Sequence, residues 1–146
     1  MCNLLLPYLY IALFPCLTDR SGPTAAPLSV EVQNLRHERG QIAILLFDNP
    51  DGFPKSPERA VRNWKFPLGK GRRFELGNLP EGRYALSVIH DENANARLDA
   101  NPFGIPQEPY GFSNNPKAVF GPPDFQEAAF ELRGRALDLQ VKMVHW

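Results

Sequence analysis

The chain has 146 residues, enough for one domain that buries a self-sufficient core. Its 16 acidic residues balance 16 basic ones, and the basic ones are scattered, which excludes the charge pattern of a nucleic-acid binder or of a protein held on an anionic membrane. Fifteen prolines and eleven glycines disfavour long helices and favour short strands joined by turns.

Leu4 to Leu17 is a nearly unbroken apolar run, too short to span a bilayer but suited to the core of a secretory signal. Small residues at Thr24-Ala25-Ala26 place the cut after Ala26. That makes residues 1–26 a targeting segment and 27–146 the mature domain, in the periplasm or outside the cell and with no membrane span. Pro7 and Pro15 interrupt the run, and no Lys or Arg precedes it. Cys16 raises lipid attachment as an alternative, although Pro15 is a poor neighbour for it. Both cysteines, Cys2 and Cys16, fall before the cut, so the mature chain has neither thiol nor disulfide.

Beyond the cut the pattern is that of strands. Ser29 to Leu35 alternates apolar and polar residues, and Gln41 to Phe47 is apolar on both faces, as in a covered central strand. Ser56-Pro57-Glu58 has the signs of a helix start and predicts a short helix to about Asn63, with Trp64 and Phe66 tucked on the sheet. Arg73 to Leu76 is a short strand, and Asn78 to Gly82 a type I turn. Arg83 to His90 is a buried strand with Tyr84, Leu86 and Val88 on one face and Ala85, Ser87 and Ile89 on the other. A long insert, residues 90–123, precedes strands at Ala128 to Leu132 and Ala136 to Val144. The fold class is therefore all-β: a single antiparallel β-sandwich of six to seven strands, with one short helix and a long loop.

The chemistry concentrates at the start of that insert. Asp91, Asn93, Asn95 and Asp99 put side-chain oxygens at the first, third, fifth and ninth positions of a loop, and Arg97 stands where calcium loops use a backbone carbonyl. Hard oxygens and two carboxylates suit Ca²⁺ better than Zn²⁺. The loop departs from the EF-hand pattern at Ala96 and Pro102, so a complete cage needs an outside donor, with Glu108, Glu92 or Asn101 the candidates and Glu108 the favoured extra carboxylate. The competing account is a turn whose Asn and Asp side chains bond their own backbone. With no cysteine in the mature chain, and with His37, His90 and His145 far apart in sequence, zinc is not expected.

His90, Tyr110, Phe112 and Asn114 are the candidate ligand contacts, the aromatics being suited to stacking on a sugar or gripping a peptide. The reading that follows is an exported, monomeric binding module with a calcium-stabilised recognition loop for an extracytoplasmic ligand or envelope component. A small hydrolase or isomerase using His90 with Glu108 or Asp91 is the alternative, and a purely structural accessory of the envelope the third. Ser113 lies outside any nucleophile elbow.

The run His90-Asp91-Glu92-Asn93-x-Asn95-x-x-Leu98-Asp99 is followed by Gly104-Ile105-Pro106-x-Glu108-x-Tyr110-Gly111-Phe112-Ser113-Asn114-Asn115 and by Pro123-x-Phe125. Together with Leu79-Pro80-x-Gly82-x-Tyr84, it resembles a bacterial exported family catalogued as domain of unknown function 2141. The likeness runs from about Ser29 to the C-terminus, departing at Ala96 and Pro109. It implies a secreted or periplasmic sandwich of the prealbumin-like or immunoglobulin-like kind, and it carries no established activity.

Overall fold

The computed structural model describes residues 24–69, 71–95, 99–117 and 121–145. Eight strands form two facing sheets: β1 (Ala25–Gln33), β2 (Gln41–Phe47), β3 (Arg62–Pro67), β4 (Arg73–Pro80), β5 (Gly82–Asp91), β6 (Tyr110–Phe112), β7 (Phe130–Leu132) and β8 (Leu137–Lys142). One sheet has the order β4-β1-β8; the other runs β3-β2-β5-β6, with β7 also paired to β5. The all-β sandwich is as expected, with one exception to its antiparallel rule: β1 and β8 run parallel, Leu28 opposite Leu137 through Gln33 opposite Lys142.

Alternation along the strands builds the main core. Val30 and Val32 of β1, Ile42 and Ile44 of β2, Leu86 and Val88 of β5 and Val141 of β8 are all fully buried between the sheets. A second, smaller core forms on the outer face of the larger sheet from Phe47, Ala85, Tyr110, Phe112 and Phe125, with Phe53 packed edge-on against Phe47 and Phe125. A one-turn helix, α1 (Phe125–Ala128), covers it; Asp124 and Glu127 form a capping box at its start. On the outside of the smaller sheet Ser29, Arg73 and Asp138 bond one another. The Ser29 hydroxyl, then Arg73, holds the Asp138 carboxyl below its usual 3.8.

Three expectations need correction. The helix after Ser56 is only a 3-10 turn, Pro57–Arg59, and Ser56 makes no side-chain cap. The residues beyond it form β3, which supplies the edge ladder that β2 requires and turns Trp64 and Phe66 toward the core. The turn at Asn78 to Gly82 is a corner: β4 ends at Pro80 in one sheet and β5 begins at Gly82 in the other. The Tyr84 hydroxyl donates to the Pro80 carbonyl at 3.0 Å and ties that corner. The long insert is not irregular throughout, since it contains β6. Its edge is sealed onto the smaller sheet's chain end by paired bonds between Tyr110 and Val144, at 3.3 and 2.7 Å. Gly111 permits this crossing, because a Cβ there would stand 2.7 Å from Val141 Cγ1 and 2.9 Å from the Lys142 carbonyl.

The expected targeting segment, residues 1–26, lies outside the described residues except for Thr24 to Ala26. Among the described residues no helix is long and apolar enough to cross a membrane. Ala25 and Ala26 belong to β1, opposite Pro80 and Leu79, Ala26 is fully buried, and Thr24 accepts a bond from Glu81 N–H at 3.0 Å. A chain starting at Pro27 is therefore expected to be less stable than one starting at Thr24 by about 1–3 kcal/mol, the worth of two or three hydrogen bonds. Urea unfolding of the two chains beside the full one checks this; equal midpoints would show that the first residues of β1 contribute nothing.

Candidate functional site

β5 delivers the site. Its even-numbered side chains, Tyr84, Leu86 and Val88, face the main core, and His90 continues that row at full burial. The odd-numbered row ends in Asp91, also buried. The turn between β1 and β2 closes over this end of the sandwich. Its Arg39 carbonyl lies 2.8 Å from His90 Nε2, so that nitrogen carries the ring proton. Gly40, at φ +82°, makes the approach possible: a Cβ there would stand 2.2 Å from the Asp91 carbonyl oxygen.

Glu108 organises the loop beyond. Its buried carboxylate accepts from Glu92 N–H at 2.9 Å and from Asp99 N–H at 3.1 Å, which pins the two ends of the oxygen-rich segment together. Burial raises the Glu108 pKa above its ordinary 4.5; the two backbone donors oppose this, and the charges of Asp91 and Asp99 add to it. Asp91 accepts from Gln41 Nε2 at 2.7 Å and from Asn95 N–H at 3.0 Å. Asp99 faces the amides of Asn93 and Asn95, at 2.6 Å from the first and 2.9 and 3.0 Å from the second. Asp91, Asn93, Asn95, Asp99 and Glu108 are thus brought into one network, bonded to protein donors. Arg97 lies outside the described residues.

The rest of the insert is a tight loop on Asn101, whose side-chain oxygen accepts from Phe103 N–H at 2.9 Å and Ile105 N–H at 3.0 Å. This turn holds Phe103 out at 88 % exposure. A polar cleft of about 350 Å³ opens between loop and turn, lined by His37, Arg39, Glu92, Asn93, Asp99 and Glu108 among others.

The other expected contacts serve the fold. Tyr110 and Phe112 are buried in the second core. Asn114 donates to the Ala129 carbonyl at 2.6 Å, anchoring the end of α1. Asn115 stands in for a strand, accepting from Lys142 N–H at 2.7 Å and donating to the Gln140 carbonyl at 2.8 Å. Ser113, buried, donates to the Ala128 carbonyl and accepts from Leu86 N–H. The acid–base pairing of His90 with Glu108 is not formed, since Glu108 holds backbone groups. The carboxylate that the His90 ring faces is Glu92, with Nδ1 to Oε1 at 3.9 Å.

Glu92, a candidate extra donor to the loop, is two residues along from His90 and so on the same face. The neighbour that sequence reasoning missed is His37. His37 comes from a distant turn, and its ring centroid lies 5.1 Å from that of His90. His37 and His90, far apart in sequence, are thus neighbours in space.

Two outcomes follow. Gly40→Ala combines a positive φ with a backbone clash and should cost about 2–5 kcal/mol, measured by chemical denaturation; a cost below about 1 kcal/mol, nearer that of a surface change, would mean that the turn can withdraw freely. For Glu108, a raised acid pKa means that the folded state holds the proton more tightly than the unfolded chain. Its contribution is greatest below 4.5 and declines as pH rises through the folded value. Glu108→Gln should remove that decline. It should also lower stability by about 1–3 kcal/mol, because one backbone N–H then meets an amide NH₂. Unfolding of both proteins across that pH window reads out both effects: parallel curves would refute the first, and equal stability above the folded value would refute the second.

No curated protein and no solved structure gives a significant match to this chain. Residues 30–140 match the family model described as an uncharacterized protein conserved in bacteria, DUF2141, and the chain belongs to that family.

Proposed function

We propose that the protein is an exported binding module in which residues 91–108 are a calcium-stabilised recognition loop. The observation that carries this is Glu108: a buried carboxylate spends both oxygens on pinning the loop, beside a polar cleft and below an exposed aromatic tip. A loop held this firmly loses little entropy when it binds, which favours recognition by a preformed surface. The cleft offers polar contacts and Phe103 an apolar one. The apolar run from Leu4 to Leu17 supports export.

Calcium fits the donor set. Asp99 already faces two side-chain amides, and rotating each about its last torsion turns its oxygen toward a cation held by that carboxylate. The ion would neutralise charge crowded near Glu108. With the two or three carboxylates available, an affinity of order 10⁻⁴–10⁻³ M is expected.

Thermal unfolding with ~10 mM calcium and with chelator tests the reading. Linkage at that affinity gives a stabilisation of about 1.4–2.7 kcal/mol, seen as a rise in melting temperature that Asp99→Ala abolishes. An unchanged melting temperature would mean that the loop oxygens serve only the turn.

A further inference from the structure

We infer that His37, His90 and Glu92 form a second cation site, for a divalent transition metal of the Zn²⁺ class. This inference is independent of the calcium reading. One ligand atom from each residue lies within 4.8 Å of the others. His90 is fully buried, and its Nε2–H is fixed on the Arg39 carbonyl, so Nδ1 presents a lone pair. Among the described residues, that Nδ1 and the buried Glu92 Oε1 have no hydrogen-bond partner. Glu92 Oε1 stands 3.2 Å from His37 Nε2, an ion-pair distance when that ring is protonated but without hydrogen-bond geometry, so with a neutral ring both atoms are open to a cation.

A buried imidazole whose outer nitrogen is held by a backbone carbonyl is how metal-binding histidines are oriented. Two imidazoles and one carboxylate match borderline cations better than calcium, and three protein ligands are the usual set where a further position stays open. His37 and Glu92 line the polar cleft, so the open position faces it. Binding at His37 Nε2 requires that ring to carry its proton on Nδ1, which displaces the long 3.3 Å contact from Arg39 N–H. The ligand atoms, now 3.2 and 3.9 Å apart along the Glu92 edges, need only small side-chain rotations to surround an ion. Gly40 keeps the two halves of the site together.

Calorimetric titration of the chelator-stripped full chain with Zn²⁺ in calcium buffer tests this, with Co²⁺ absorption as a second readout. The wild type should bind one Zn²⁺. His37→Ala and Glu92→Gln should each weaken it by at least about 100-fold, since loss of an outer-shell partner alone costs 10–100-fold. Both should also lose the Co²⁺ band, whereas His145→Ala keeps both signals. The substitutions avoid fully buried His90, and melting in chelator checks that the variants fold. No Zn²⁺ binding by the wild type, or binding that either variant leaves intact, overturns the three-ligand assignment.

Discussion

The pleat of β5 governs both the architecture and the chemistry. This one strand pairs with β2, β6 and β7, so most of the larger sheet takes its register from it. Because successive side chains point to opposite faces, its even positions fill the sandwich interior and its odd positions face the second core. The same rule continues past the strand end. It sends His90 and Glu92 toward the turn that carries His37, and Asp91 toward the loop with Asn95. Two chemically distinct clusters, one of nitrogen and oxygen donors and one of oxygen donors, therefore sit side by side on a single short stretch of backbone and line the same cleft.

Such an arrangement needs devices that keep polar groups satisfied away from bulk water. Glu108 is one: a carboxylate with two lone-pair-rich oxygens can cap two backbone N–H groups at once, which no neutral side chain does as well. The amides of Asn114 and Asn115 are another, each reaching carbonyls that regular strand pairing leaves over. The run from Tyr110 to Asn115 reads as a recognition motif by composition, yet almost every member is committed to joining β6, α1 and β8. Dense polar sequence can mark a structural junction as readily as a binding surface.

The sandwich, the central place of β2 and β5 and the two faces of β5 were legible because two-residue periodicity reports burial directly. So was the gathering of Asp91, Asn93, Asn95 and Asp99, since their contacts are local. What was not legible depended on distant partners. The segment after Ser56 has helix-start chemistry, but the open edge of β2 captured Arg62–Pro67 as a strand, tertiary pairing prevailing over a weak local preference. His37 approaches His90 only because a glycine lets one turn lie against another strand's end, a proximity that no spacing encodes. Exposure of the aromatics is set by packing and not by residue type: Tyr110 and Phe112 are interior and Phe103 is not.

The parallel pairing of β1 with β8 has a consequence for how the chain reaches this state. The contact between Ser29 and Asp138 spans 109 residues, so the middle strand of the smaller sheet waits for the final one before its ladder is complete. Closing so large a loop costs entropy before any contact repays it, and topologies of this kind fold slowly. During synthesis, β1 leaves the ribosome well before β8 and finds that second neighbour only once β8 has emerged. The smaller sheet therefore stays at two strands, β4 beside β1, until β8 has been made.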